Sequence, residues 1–215
     1  NRSQILSALW NGEPAEVFVR DRQVFICGRE SGSGPLRLET EQEPKPGTLS
    51  GASVGGFRKA ELAGTFTYLS SWIEECDRLG PCDTEPSRQA SFQITVRHED
   101  EQIALCPGAM RRIAGGTRCE IEGTLAPAYS ALALIVRSGW HRSELLKGPQ
   151  SRLVLYDSVD GRIGQALRAE DVGPFMEWAQ GLLGPLPYGE ELRIVSAPTS
   201  WLGFEHPANI VLRED

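Results

Sequence analysis

A serine nucleophile is suggested by residues 51–55, which read Gly-Ala-Ser-Val-Gly and match G-x-S-x-G. In enzymes that use this motif, the serine lies on a sharp turn between a buried strand and a helix. Here a segment rich in Pro and Gly precedes Ser53, and a segment of alternating polarity follows it. The context therefore favours a loop serine over a nucleophile.

Three histidines, His98, His141 and His206, could act as a general base or bind a metal. No two of them have zinc-site spacing, and H-E-x-x-H is absent. We expect His98 in a solvated turn and His141 in a packing or capping role. The glycines form neither G-x-x-x-x-G-K-[ST] nor G-x-G-x-x-G, the two phosphate-binding patterns. The sequence thus predicts no metal site and no cofactor.

An aromatic segment near the carboxyl end is the best candidate for a binding surface. Residues 198–207 read Pro-Thr-Ser-Trp-Leu-Gly-Phe-Glu-His-Pro, which is long and apolar for a hairpin loop. Aromatic side chains on a loop are typical of contact surfaces, because each buries a large area when it binds. The alternative is that the segment folds back over the core. The candidate binding residues are Trp201, Leu202, Phe204 and His206, with Trp140 as a weaker addition.

The five cysteines, Cys27, Cys76, Cys82, Cys106 and Cys119, form no C-x-x-C pair. Reduced and mostly buried thiols are the favoured state. Disulfides are the alternative, and an odd number of cysteines leaves at least one thiol free or paired to another molecule. The pair Cys76 and Cys82 could be joined if the chain doubles back between them.

Composition and charge limit the classes of partner. The chain has 215 residues with 22 basic and 29 acidic side chains, for a formal charge of −7. A net negative chain binds nucleic acid or anionic lipid poorly, so neither is expected as a partner. The longest apolar run, Ala131–Val136, is far shorter than the ~18 residues of a membrane span. We expect no transmembrane segment, with an anchor trimmed from before Asn1 as an alternative, and no compartment is indicated.

Alternation of apolar and polar residues predicts several strands. Lys59–Tyr68 alternates throughout, and the strand ending at Val96 is expected to form a hairpin with Gln102–Cys106. The same alternation points Cys119 at the core. Ala131–Val136 is apolar at every position and predicts a central strand buried on both faces.

Turn signals predict further hairpins and the closing strands. Glu16–Arg20 and Gln23–Cys27 flank Asp21-Arg22, and a second pair flanks Asp160-Gly161. The two segments of that second pair are Leu153–Tyr156 and Ile163–Leu167. Leu192–Ser196 and Asn209–Arg213 are expected to be the last two strands.

Capping signals predict three short helices, over residues 3–10, 72–79 and 174–183. Strands outnumber helices and do not alternate with them, so we expect an α+β, predominantly β fold rather than a βαβ fold. The sheets should be antiparallel or mixed, in a sandwich or a partly open barrel. One domain over residues 1–215 is favoured. The alternative is two β-units, 1–88 and 89–215, because residues 96–106 resemble residues 19–27.

These features favour a non-catalytic binding or interaction module with a protein partner, and the soluble part of an anchored or secreted assembly is one form that it could take. Enzymatic activity is uncertain and not favoured. The first alternative is a hydrolase whose site joins distant residues such as Ser53, His141, Glu205 and His206. The second is an extracytoplasmic structural domain stabilised by disulfides.

Overall fold

The computed structural model describes residues 4–21, 23–28, 34–41, 45–46, 57–61, 65–70, 85–87, 89–131, 133–148, 151–158, 161–198 and 202–214. Most of these residues lie in strands of antiparallel and mixed sheets. No sheet closes into a barrel within these ranges. The expected α+β, predominantly β fold is confirmed.

The element bounds are as follows. The strands are β1 (Gln4–Trp10), β2 (Glu13–Pro14), β3 (Glu16–Arg20), β4 (Gln23–Cys27), β5 (Leu36–Glu41), β6 (Lys45–Pro46), β7 (Phe57–Glu61), β8 (Thr65–Ser70), β9 (Gln89–Arg97), β10 (Gln102–Leu105), β11 (Ala109–Ile113), β12 (Gly116–Pro127), β13 (Ala133–Ser138), β14 (His141–Lys147), β15 (Arg152–Asp157), β16 (Glu191–Ala197), β17 (Gly203–His206) and β18 (Asn209–Arg213). The helices are α1 (Ala128–Ala131), α2 (Ile163–Ala166) and α3 (Ala169–Leu183). None of these helices has the length and apolar character needed to cross a membrane.

Three sheets stack face to face and make the main core. The central sheet has the order β10-β13-β8-β7-β6, the outer sheet β11-β12-β9, and the mixed sheet β14-β15-β16-β18-β17. The amino-terminal strands form a three-stranded sheet, β2-β1-β5, and the hairpin β3-β4. The expected hairpin over residues 16–27 is therefore confirmed.

Strand β13 is buried on both faces because it lies between two other sheets. Leu134 and Val136 pack with Cys119 of the outer sheet, and Ile135 packs with Val195 of the mixed sheet. Successive side chains of a strand point to opposite faces, so burial on both sides explains why Ala133–Val136 is apolar at every position. The predicted central strand is confirmed, although it begins at Ala133 because α1 precedes it.

The mixed sheet contains a connection that the sequence did not predict. Strands β15 and β16 are parallel, and α2 and α3 cross over between them. Leu155 and Ile194 pack with Ile163 and Val172 of the crossover. The expected hairpin at Asp160-Gly161 is therefore wrong, because this segment begins a crossover between two parallel strands. The predicted helix over residues 174–183 is confirmed, with an earlier start at Ala169.

Three other predicted elements are also wrong. The expected helix over residues 3–10 is strand β1, because it pairs with β5 and β2. Residues 59–61 and 65–68 belong to two antiparallel strands, β7 and β8, rather than to one. β9 pairs with β12, whereas β10 pairs with β13. The hairpin expected between β9 and β10 is therefore wrong.

Cys106 and Cys119 form a disulfide whose two residues are fully buried. The favoured state of five reduced thiols is therefore wrong. The core-facing orientation expected for Cys119 is confirmed, and the free Cys27 is exposed. The helix expected over residues 72–79 and the pair Cys76 and Cys82 lie outside the described residues. The division of the chain into one or two domains stays a prediction.

Candidate functional site

The aromatic segment forms strand β17, which lies at one edge of the mixed sheet. It pairs with β18 on one side, and no described strand pairs with its other side. An edge strand presents unpaired backbone N–H and C=O groups to whatever approaches it. Leu202, directly before the strand, is 78% exposed. Trp201 lies outside the described residues.

The side chains of β17 alternate between the core and the solvent. Phe204 and His206 are buried, with exposed fractions of 5% and 8%, whereas Glu205 is exposed. Phe204 packs in the core between the central and mixed sheets. An exposed position is thus wrong for Phe204 and His206, and the alternative expectation, that the segment folds back over the core, is confirmed for these two residues. Whether the candidate residues bind a partner stays a prediction.

Gly203 lets β17 approach its neighbour closely. A Cβ atom at this position would lie 2.7 Å from the carbonyl oxygen of Val211 and 2.9 Å from a methyl carbon of Leu212. Real Cβ atoms are not found so close to a backbone oxygen, so a side chain here would push β17 off β18. Glycine is therefore required for the pairing that holds the edge.

His206 fixes β17 to the end of the outer sheet. Its Nδ1 lies 2.9 Å from the carbonyl oxygen of Ser130, in α1. A carbonyl can only accept, so Nδ1 carries the proton and Nε2 is a bare acceptor. Nε2 is buried and has no hydrogen-bond partner among the described residues. Burial lowers the pKa of His206 to about 4, although the bond to Ser130 opposes this shift.

A small cavity lies beside this histidine. It has a volume of about 10 Å³, and His206, Asn209, Tyr68 and Phe204 are among its lining residues. This volume corresponds to about one water-sized sphere. The cavity is therefore too small to hold a peptide or an organic ligand.

Arg193 anchors the turn between β17 and β18. Its side chain is 1% exposed and donates to the Asn209 Oδ1 atom at 2.7 Å. It also donates to the carbonyl oxygens of Cys106 and Gly108, at 3.0 and 2.6 Å. Burial lowers the pKa of Arg193, and the carboxylate of Glu191 partly opposes this. The guanidinium thus joins the mixed sheet to the segment between β10 and β11.

A backbone bond strengthens the same junction. The Gly108 N–H donates to the carbonyl oxygen of Pro207, in the turn that directly follows β17, at 2.9 Å. The turn is therefore held by backbone and side-chain bonds together, which makes β17 a rigid edge.

Trp140 packs against the same core as Phe204 but precedes β14, at the other edge of the mixed sheet. It is half-buried, donates from Nε1 to the Ile103 carbonyl at 3.3 Å and contacts the edge of the Tyr156 ring. The guanidinium of Arg137 lies 5.6 Å from the centroid of its ring. Trp140 and Phe204 both pack against the core between the central and mixed sheets, but Trp140 does not lie on the exposed edge.

Among the described pieces of the alternative hydrolase site, the two histidines lie far apart. His141 begins β14 and His206 ends β17, at opposite edges of the mixed sheet. Four strand spacings separate them, which is about 19 Å. His98 is bonded to the Glu99 carbonyl and the Thr117 hydroxyl, and Ser53 lies outside the described residues. Within the described ranges, no three His, Cys, Asp or Glu side chains could hold a metal together.

Comparison with known proteins places the fold. No family model and no curated protein matches the chain. A zinc metallopeptidase of the M1 type from Deinococcus radiodurans, a mutant bound to the substrate Tyr-Ser-Ala, matches with a TM-score of 0.76 at 18% identity. The match covers 99% of this chain and 51% of that one. A two-domain M1 zinc metallopeptidase bound to L-arginine matches with a TM-score of 0.74 at 18% identity, over 99% and 50% of the two chains.

A third similar structure is yeast LTA4 hydrolase in complex with bestatin, with a TM-score of 0.76 at 15% identity. It is matched over 99% of this chain and 34% of that one. The chain therefore has a fold that forms half of the bacterial enzymes and a third of the yeast enzyme. At these identities the likeness shows the fold alone.

The described residues of this chain do not provide a fitting set of ligands for the zinc named for the two M1 metallopeptidases. No metal-holding cluster is present there, so His206, whose bare Nε2 could bind a metal, does not belong to a set of three ligands among the described residues. The sequence contains no H-E-x-x-H in which two histidines and a glutamate could serve such a metal. No catalytic step through zinc can be assigned to these residues.

Proposed function

We propose that this chain is a peptide-binding module that recognises a free amino terminus with the edge strand β17 and the Glu205 carboxylate. The observation that carries this proposal is the position of Glu205, an exposed acid on an edge strand whose two neighbours in sequence are fixed in place. The binding module expected from the sequence is thereby given a location and a ligand class.

The backbone of β17 supports binding of an extended chain. A peptide can add to an exposed sheet edge as a further strand, with main-chain bonds supplying affinity. β17 is short and rigid, because Gly203 allows close pairing with β18 and the turn after His206 is bonded to Gly108. A rigid edge loses little conformational entropy when a peptide docks on it.

The charge of Glu205 supports recognition of an amine. Tyr-Ser-Ala and L-arginine, the ligands named for two of the similar proteins, share a free α-ammonium group. A carboxylate forms a charge-assisted hydrogen bond with such a group, which is stronger than a bond between neutral groups. Glu205 projects from the face of β17 opposite to Phe204 and His206, so it is accessible to a docked peptide.

The test compares Tyr-Ser-Ala with its N-acetylated form in binding to the whole chain by calorimetry. The free peptide should bind about tenfold more tightly, because acetylation removes the ammonium charge. Glu205→Gln should weaken binding of the free peptide to the level of the acetylated one. Glu177→Gln, which changes an exposed acid on α3, is the matched control and should change neither affinity. Equal binding of both peptides by the unaltered chain would reject the proposal.

Hydrolysis by this chain is the competing proposal, which the likeness to metallopeptidases supports. The same tripeptide tests it when products are followed by mass spectrometry with and without added Zn²⁺. We expect no cleavage, because the described residues supply no metal-ligand cluster. Zinc-dependent release of tyrosine would favour the hydrolase.

A structural domain of an oxidising compartment is a third candidate, and the Cys106–Cys119 disulfide favours it. Such a domain should bind neither form of the tripeptide. It should contain the intact disulfide when it is isolated from its own cells with thiols blocked at lysis. If the oxidised chain binds the free peptide, the structural-domain candidate is rejected, and the disulfide serves to stabilise the peptide-binding module.

A further inference from the structure

The bond between His206 and Ser130 connects the edge strand to a different layer of the molecule. Ser130 lies in α1, which directly follows β12 of the outer sheet, whereas His206 ends β17 of the mixed sheet. The Ser130 hydroxyl donates to the Pro127 carbonyl at 3.0 Å and so stabilises the turn that presents the accepting carbonyl. The imidazole is thus a direct link between the two sheets at the end of β17.

The hydrogen bond between His206 and Ser130 affects the direction in which the Glu205 side chain points. Side chains of a strand alternate, so anchoring Phe204 and His206 in the core directs the residue between them outward. Phe204 is held by packing, and its ring contacts the edge of the His206 imidazole at a centroid distance of 5.4 Å. Pairing with β18 sets the register of β17, and the imidazole bond adds a fixed distance and direction between the end of the strand and α1.

We propose that His206 is the positioning residue of β17, and that its bond to the Ser130 carbonyl holds the Glu205 carboxylate where the amino terminus of a peptide binds. This inference rests on the proposed function. It predicts that His206 acts on ligand preference through a particular hydrogen bond, and not only through the volume that it fills in the core.

Two substitutions with side chains of the same branching separate these roles. Asn places an amide N–H at the δ position, where His206 has its Nδ1–H, so His206→Asn can keep the bond to Ser130. Leu has the same number of side-chain heavy atoms as Asn, branched at the same atom, but no donor, so His206→Leu removes the bond. Gln moves the amide one atom further from the backbone, so His206→Gln is a second variant that retains polarity but misplaces the donor.

The measured quantity is amine preference, defined as the ratio of the Kd of N-acetyl-Tyr-Ser-Ala to that of Tyr-Ser-Ala. His206→Asn should keep this ratio within about threefold of the unaltered chain, because the directional bond is retained. His206→Leu and His206→Gln should lower it to the value of Glu205→Gln. Adding His206→Leu to Glu205→Gln should lower it no further, because both changes act on the same carboxylate.

The outcomes distinguish the two proposals. If the unaltered chain shows no amine preference, the proposed function fails. If it shows the preference and folded His206→Leu keeps it, the positioning role is rejected while the proposed function stands. Equal losses in His206→Asn and His206→Leu would also reject the positioning role. Circular dichroism at the binding temperature verifies folding, and His206→Gln decides the question if the Leu variant is unfolded.

Discussion

Arg193 is a buried cation whose partners are mostly neutral carbonyl groups. Removing the guanidinium leaves three buried acceptors without donors, on Asn209, Cys106 and Gly108. Each unsatisfied acceptor costs about 1–3 kcal/mol. We expect Arg193→Met to lower the free energy of unfolding by about 3 kcal/mol or more in urea titrations.

The control variant is Arg152→Met, which removes an ion pair between Arg152 and Glu191 at the surface. It should lower the free energy of unfolding by less than about 1 kcal/mol. Similar costs for both variants would contradict the anchoring role.

His206 should make the stability depend on pH. Its pKa is about 4 in the folded protein and about 6.5 in an unfolded chain. The unfolded state binds the proton first, so the stabilisation is complete above pH 6.5 and is lost as the pH falls towards 4. The loss should reach about 3 kcal/mol. Urea titrations of the unaltered chain and of His206→Asn should diverge over this range, because Asn does not titrate. Parallel pH curves would contradict the buried neutral imidazole.

The disulfide acts at the scale of the elements, because it joins the end of β10 to β12. Opening the loop between Cys106 and Cys119 should cost about 3 kcal/mol, since 13 residues of sequence separate them. We expect the double variant Cys106→Ala, Cys119→Ala to show this loss in urea unfolding, and dithiothreitol to change its stability little. Cys27→Ser alters the exposed free thiol and should leave stability unchanged. A stable double variant would show that packing alone holds these strands.

Elements were predictable from the sequence where local residues determine them. β3 and β4 pair across a short turn, and α3 has an apolar stripe of its own. β1 was not predictable, because its strand state depends on pairing with β5 about thirty residues away. The partner of β10 was missed for the same reason, since Gln102 pairs with Ser138. Alternation identifies a strand but does not name its neighbour.

The turn at Asp160-Gly161 was misread for a different physical reason. A Cβ atom at Gly161 would overlap the Asp157 carboxylate, so glycine is needed there for close approach. The Asp157 Oδ2 atom accepts from the Gly164 N–H at 2.9 Å and stabilises the start of α2. The same glycine can serve a hairpin or a helix start, and only the position of Asp157 in space decides between them.

At the scale of the whole molecule, the sequence predicted a β-rich fold but not the stacking of its layers. The aromatic composition of residues 201–206 is unusual for a loop and made them the candidate segment, and their role in binding stays a prediction. The burial of Phe204 and His206 was not foreseen, since it depends on which sheet lies beneath β17. Arg193 was missed, because a single arginine in an apolar strand has no sequence signal for its distant acceptors.

The burial of β13 between two sheets has a consequence for how the molecule opens. Its amides can meet solvent only after a layer on one side has separated, so their exchange with deuterium should require near-global unfolding. The β3–β4 hairpin, where Phe18 and Val19 are more than half exposed, should exchange through fraying alone. Mass spectrometry of exchanged peptides should therefore show the slowest uptake over residues 133–138 and rapid uptake over residues 16–27. Deuterium uptake at equal rates in both segments would mean that the layers around β13 separate without near-global unfolding.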